Sequence, residues 1–208
     1  MNPAPSKRPI IYLASRSPRR RAILTELCIP FKELASSYDE RAEDVADLPP
    51  ADQAIKLASL KAFHAAKTVN EGIVIGADTI VVLDSTILGK PRDRDDAKEM
   101  LNALSGKTHQ VITGVAVVDV IALRTVSRAE ITKVFFKPLR EREIYRYLET
   151  NEPYDKAGAY AIQGMAALFV ERIEGCYFNV VGFPVRAFSL LMTEIGFDIL
   201  DFIDRSGK

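Results

Sequence analysis

The sequence holds only two cysteines, carries no excess of either charge, and has no apolar run approaching membrane-spanning length. Cys28 and Cys176 lack metal-ligand spacing, and Cys28 falls on a predicted core face, so neither a disulfide framework nor a zinc site is expected. Lysine plus arginine equals aspartate plus glutamate, at 28 each. A dedicated nucleic-acid binder carries a clear basic excess, so no stable nucleic-acid complex is expected and the charges must be read by location. Residues Met1 to Arg8 contain no apolar stretch of signal-peptide type, which leaves the cytoplasm as the default compartment and no membrane as partner. Repeats and low-complexity tracts are lacking too.

What is present is a chain of 208 residues, 48% hydrophobic, able to bury a full core as one domain or two closely joined lobes. The apolar run from Pro9 to Ala14 predicts a buried strand. Ser17 then stands as N-cap and Pro18 as first residue of a helix whose core side carries Ile23, Leu24, Leu27 and Cys28. A short strand is predicted over Phe31–Ala35, a polar segment over 36–44, and a long helix over about Ala51–Val69, with Ile55, Leu57, Ala58, Leu60 and Ala62 among its apolar positions. Residues 72–84 are apolar enough for a central strand, turned by Asp84-Ser85-Thr86 into a short partner ending at Gly89-Lys90-Pro91. A helix over Arg94–Leu104 is followed by two long antiparallel strands, near His109–Val120 and Thr125–Lys137. A helix over Leu139–Thr150 is predicted to carry Ile144, Tyr145 and Leu148 inward. Strands over Ala166–Ile173 and Tyr177–Val181 would be joined by Glu174-Gly175, and a last helix would run over Pro184–Ile195. The fold class is α/β with a mixed, long twisted central sheet and flanking helices.

Four places carry chemistry. In Ser15-Arg16-Ser17-Pro18-Arg19-Arg20-Arg21 three arginines crowd a first helical turn, where the helix dipole disfavours cations. A bound phosphate chain would resolve that conflict, since backbone N–H groups and guanidinium forks converge on one anion; the alternative is a solvated basic turn. Asp78, in Gly76-Ala77-Asp78-Thr79, interrupts a buried strand, so it needs a cation, a metal or a cleft beside it, or else caps a bend. Lys90 is bracketed by Gly89 and Pro91, while Lys61 sits among apolar neighbours of the long helix; either could be a snorkelling surface lysine. Asp39 and Glu40 are paired acids in a loop, ordinarily a solvated turn, and gain weight as magnesium ligands only beside Asp78. The stretch from Asp155 to Gly164 has small residues that admit a ligand close to the backbone, with Tyr160 to pack on it and Gln163 to offer a donor and an acceptor.

Taken together and in order, Leu13-Ala14-Ser15-Arg16-Ser17-Pro18-Arg19-Arg20, Gly76-Ala77-Asp78-Thr79-Ile80-Val81, Gly89-Lys90-Pro91-Arg92, Leu104-Ser105-Gly106, Asp155 through Gly164, and Asn179-Val180-Val181-Gly182-Phe183-Pro184 resemble the Maf family of nucleoside triphosphate pyrophosphatases. The resemblance runs from about Ile11 to Gly196 and is closest to the branch acting on dTTP and UTP. The branch that reads 7-methylguanosine triphosphate usually has Glu-Gly where this chain has Gln163-Gly164.

The resemblance implies an inosine triphosphate pyrophosphatase-like fold: a single domain over 9–200 in two lobes around a cleft, with flexible ends at 1–8 and 201–208. It implies cleavage between the α and β phosphates of dTTP, UTP or a base-modified pyrimidine nucleotide. The products would be a nucleoside monophosphate and pyrophosphate. Asp78 matches the family's proton acceptor, and Ser15, Arg19, Arg20, Glu40, Lys61 and Lys90 its polar cleft residues; Arg19, Thr79 and Gln163 match positions associated with choice of base. A divalent cation is implied, Mg²⁺ or Mn²⁺ with Co²⁺ as a third candidate, on Asp78 and Glu40. Lys61 and Lys90 would join Asp78 in catalysis, and a homodimer is suggested. Arg16 and Arg21 fall where the motif is open, and Cys28 stands where glycine is common, so a local packing change is expected there. The competing class is a non-catalytic nucleotide-binding regulator of cell division.

Overall fold

A computed structural model describes residues 8–34 and 45–203. Seven strands form one mixed sheet: β1 (Ile11–Ala14), β2 (Lys32–Glu33), β3 (Ile73–Leu83), β4 (Thr86–Leu88), β5 (Thr108–Asp119), β6 (Arg124–Phe136) and β7 (Val170–Glu174). Their order is β2-β1-β3-β5-β6-β7, with β4 paired to the end of β3. The β1 pairings are parallel and the rest antiparallel. The helices are α1 (Pro18–Glu26), α2 (Pro50–Ala66), α3 (Arg94–Leu104), α4 (Glu141–Leu148), α5 (Tyr177–Val181) and α6 (Val185–Glu194). None among the described residues is long and apolar enough to cross a membrane.

Strands β3, β5 and β6 are rich in β-branched residues and form the centre, β5 and β6 pairing in register from Thr108 opposite Phe135 to Asp119 opposite Arg124. One face of the sheet is covered by α2, which lies unusually close. A Cβ built on Gly76 would fall 2.3 Å from the Ala58 carbonyl oxygen, and one on Gly114 would fall 2.2 Å from that of Ala54. The helix presents Ala54, Ala58, Ala62 and Ala65 to this face. Ile55, Leu57 and Leu60, which the sequence offers as apolar positions, are only half-buried. Small residues on both sides replace bulk with backbone proximity.

On the opposite face the core is split. One cluster joins Ile73, Ile75, Val115 and Val117 to Leu24 of α1 and Phe188 and Leu191 of α6. The other joins Val81, Leu83, Val111 and Val134 to Leu101 of α3 and to Ile144, Tyr147 and Leu148 of α4. Each fully buried leucine or isoleucine contributes about 1.5–3 kcal/mol.

Several local expectations are corrected. Residues 177–181 form helix α5 rather than a strand, ending at Gly182 in the left-handed region (φ +112°). Residues 165–169 form a 3₁₀ turn, so β7 begins only at Val170. In α4 the inward tyrosine is Tyr147, fully buried; Tyr145 is exposed and lies under the Arg94 guanidinium, 4.8 Å from its ring centre. The spacing of Ile144, Tyr147 and Leu148 is the helical one. Strand β2 is two residues long. Ser17 is the N-cap of α1, but its side chain makes no cap hydrogen bond. Cys28 is half-buried after α1 at φ +54°, a conformation that favours glycine, and the buried residue there is Ile29.

Candidate active site

The site follows from a gap in strand pairing. Strands β1 and β4 share one edge of β3: β1 pairs with it from Ile73 to Gly76, and β4 from Val81 to Leu83. Between them residues 77–80 have no strand neighbour on that side among the described residues. Here both faces of β3 are reached from one cleft of about 1020 Å³, lined by Ser15, Arg19, Lys61, Asp78, Thr79, Lys90, Gln163 and others.

On the split-core face the position between the two clusters is polar. Thr79 lies opposite Thr113 on β5, their hydroxyl oxygens 3.0 Å apart. The Thr113 hydroxyl donates to the Asn179 carbonyl at 3.2 Å. The Asn179 amide, fully buried, donates to the Val111 carbonyl and the Thr132 hydroxyl, each at 2.9 Å.

The arginines of α1 divide their tasks. Arg20 donates from Nε to the Gly182 carbonyl at 2.8 Å, from Nη1 to the Ser15 hydroxyl at 3.1 Å and the Ala77 carbonyl at 2.9 Å, and from Nη2 to the Thr79 hydroxyl at 3.1 Å. The sequence reading has Arg20 among the groups holding phosphate. These four bonds make it a brace that satisfies the open β3 edge and orients Ser15 and Thr79, and Arg20 also lines the cleft. Arg19 contacts the Val181 carbonyl at 3.3 Å, and burial lowers its pKa against the opposing charge of Asp155. A partly desolvated guanidinium of this kind gains from an anion. Arg21 turns outward to Glu33 at 3.1 Å.

On the α2 face Asp78 meets Lys61, Nζ to Oδ1 2.6 Å, both side chains largely buried. The glycine-mediated approach of α2 brings the lysine that close. Asp78 Oδ2 accepts no hydrogen bond from the described residues and borders the cleft. A carboxylate on this cleft, with one oxygen unbonded among the described residues, fits Mg²⁺, which typically takes one or two carboxylates plus substrate oxygens. Among the described residues no group of three or more His, Cys, Asp or Glu could hold a metal. Glu40, the other expected ligand, lies outside the described residues, as does Asp39.

The remaining wall comes from the loops. Lys90 is exposed at the rim, and its neighbour Gly89 accepts from the Gly158 N–H at 3.0 Å, tying that rim to the segment leading to Gln163. Gln163 is exposed on the cleft. Tyr160, buried, shares a 2.7 Å hydrogen bond with His109 Nε2. Sequence reasoning assigned no role to Asp155 and Lys156, which form an ion pair on the cleft wall. The Lys156 hydrogen bond and the charges of Lys156 and Arg19 outweigh burial and lower the pKa of Asp155. Their only sequence signal is adjacency to Ala157-Gly158. Among the described residues the cleft presents Arg16, Arg19, Arg20, Lys61, Lys90 and Lys156 against Asp78 and Asp155, four more positive than negative charges in a chain that is neutral overall.

The Maf-like protein family matches residues 10–195. The chain is 46% identical over 187 residues to a dTTP/UTP pyrophosphatase of Carboxydothermus hydrogenoformans, covering 90% of this chain and 99% of that protein. It is 48% identical over 191 residues to a dTTP/UTP pyrophosphatase of Thermoanaerobacter sp. strain X514, covering 91% and 97%. A solved nucleoside-triphosphatase / dITP/XTP pyrophosphatase from Mycobacterium abscessus overlaps 62% of this chain and 74% of its own at 17% identity and a TM-score of 0.41, too slight a likeness to bear on the site. With the match spanning nearly all of the described fold and the relatives near half identical throughout, the chain belongs to the Maf family.

Proposed function

We propose that this protein hydrolyses dTTP and UTP between the α and β phosphates, giving the nucleoside monophosphate and pyrophosphate. The observation that carries this is the Asp78–Lys61 pair set in a cleft whose described residues carry a surplus of four positive charges. A carboxylate facing a polyanion pocket suits activation of water rather than anion binding. The names of the relatives support the pyrimidine substrates.

Asp78 orients the attacking water and takes its proton as the water oxygen bonds to the α-phosphorus and the bond to the departing pyrophosphate breaks. Lys61 offsets the Asp78 charge in a partly desolvated site. Arg19, Lys90 and Lys156 hold the phosphate chain and take up charge developing on the leaving group. Arg20 acts by fixing Ser15 and Thr79. Asp78, with Glu40 as second ligand, would hold the divalent cation, Mg²⁺, Mn²⁺ or Co²⁺, which when bound neutralises phosphate oxygens. Thr79 and Gln163 meet the base: a uracil or thymine edge presents acceptor, donor, acceptor, and one amide satisfies two of these. The two apolar clusters act as the two lobes around the bound nucleotide, in a cytoplasmic protein that pairs as a homodimer.

The test is a panel of dTTP, UTP, CTP, GTP and ATP with each metal, products separated chromatographically. Monophosphate and pyrophosphate from dTTP and UTP are expected. Orthophosphate and a diphosphate would mean cleavage at the terminal phosphate. Affinity without turnover would point to the regulator of cell division.

A further inference from the structure

The Gln163 side chain makes no hydrogen bond among the described residues, so the backbone that carries it sets its direction. That backbone is anchored at a carboxylate outside the cleft. Gly164, at φ +107°, runs against Glu152 so closely that a Cβ there would lie 2.6 Å from Glu152 Oε2. The next two N–H groups, of Met165 and Ala166, donate to Glu152 Oε2 at 3.0 Å and Oε1 at 3.4 Å. They are the unpaired donors that open the 3₁₀ turn, and a carboxylate there makes charge-assisted bonds. Glu152 is fixed in turn by the hydroxyl of fully buried Tyr147, which donates to Oε1 at 3.1 Å. The upstream end of the segment is held by Tyr160 on His109.

We infer that Glu152 is a positioning residue for base recognition: its carboxylate fixes the Gly164–Ala166 backbone and thereby aims Gln163 at the pyrimidine edge. Glu152 does not line the cleft, so it acts through the turn and not through charge on the substrate. This inference rests on the reading of Gln163 as the base-facing group.

A double-mutant cycle tests it, with kcat/KM measured on UTP, dTTP, CTP and GTP for wild type, Glu152→Ala, Gln163→Ala and the double variant. Loss of positioning should lower activity on UTP and dTTP roughly ten- to a hundredfold, with far smaller loss on CTP and GTP. The double variant should be no worse than Gln163→Ala alone. Glu152→Gln, which keeps the shape and one carbonyl acceptor, should restore most of the preference for UTP and dTTP over CTP and GTP. Glu152→Asp, one methylene short of the turn but still charged, serves if the alanine variant does not fold, and should shift the preference in the same direction. Losses that multiply in the double variant, or fall equally on all four nucleotides, overturn the inference. If Gln163→Ala leaves the preference intact, the base-facing reading of Gln163 fails and takes the inference with it. If Gln163→Ala abolishes the preference and the Glu152 variants keep it, only the inference fails.

Discussion

Lys61 Nζ lies 2.6 Å from Asp78 Oδ1, across an interface where helix and strand meet almost backbone to backbone. The pair joins an acid on the α2 side of the cleft to a cation delivered by alanine and glycine packing. Asp78→Asn should therefore keep the fold and nucleotide binding while losing about 10²- to 10⁴-fold in kcat. Pyrophosphate release and calorimetric titration with UTP measure the two halves of that statement. Near-wild-type turnover would remove Asp78 from the chemistry.

The same packing makes a stability prediction. Gly114→Ala puts a methyl group 2.2 Å from the Ala54 carbonyl oxygen, and α2 must retreat. Overpacking of this kind costs about 1–3 kcal/mol, and here it also draws Lys61 away from Asp78. Urea denaturation should show a lower midpoint and UTP assays a lower kcat; an unchanged midpoint would mean that the helix yields freely.

Arg19 and Arg20 are neighbours with opposite expected phenotypes. Arg19→Ala should raise KM for UTP at low salt, with an effect that shrinks as salt screens the charge, and should leave the melting temperature nearly unchanged. Arg20→Ala removes three hydrogen bonds that tie α1 to β3 and Gly182 and a fourth to Ser15, and should lower both melting temperature and kcat/KM at every salt concentration. Identical salt profiles for the two variants would contradict this division.

His109 gives a pH dependence. Burial pushes its imidazole pKa down from 6.5 to about 4. In the unfolded chain the group binds its proton near pH 6.5; in the folded protein it stays neutral until about pH 4. Stability is thus complete above pH 6.5 and falls as pH drops toward 4, by at most about 3 kcal/mol from this group. His109→Gln should flatten that part of the curve, read by denaturation midpoints at successive pH values. A slope equal to wild type would assign the loss to other groups.

Much of this was legible in the sequence, and the exceptions have physical causes. The central strands announced themselves because stretches of 11 to 13 residues rich in β-branched side chains leave little alternative. Asp78 stood out because an acid in such a run needs compensation, and Ser15, Arg19, Arg20, Lys61, Asp78, Thr79, Lys90 and Gln163 do line one cleft. Tyr177–Val181 misled because five apolar-rich residues are too few to distinguish a period of two from one of 3.6. The Arg20 brace was invisible because its partners include carbonyls 57 and 162 residues away, and backbone acceptors leave no mark in composition. The role of the α2 alanines was hidden for a similar reason: close approach depends on which glycines lie beneath, on strands far along the chain.

Asp78 and Thr79 are consecutive residues, yet one faces α2 and the other faces Arg20 and Thr113. Strand alternation alone sets the acid and the hydroxyl on opposite faces of β3. A slip of β3 by a single residue would turn each to the opposite face, taking the carboxylate away from Lys61 and the hydroxyl away from Arg20 and Thr113. The glycines at 76 and 114 therefore do more than admit the helix. By fixing where α2 sits on the sheet, they act as an index mark that keeps Asp78 and Thr79 on their own sides of a ribbon one residue thick.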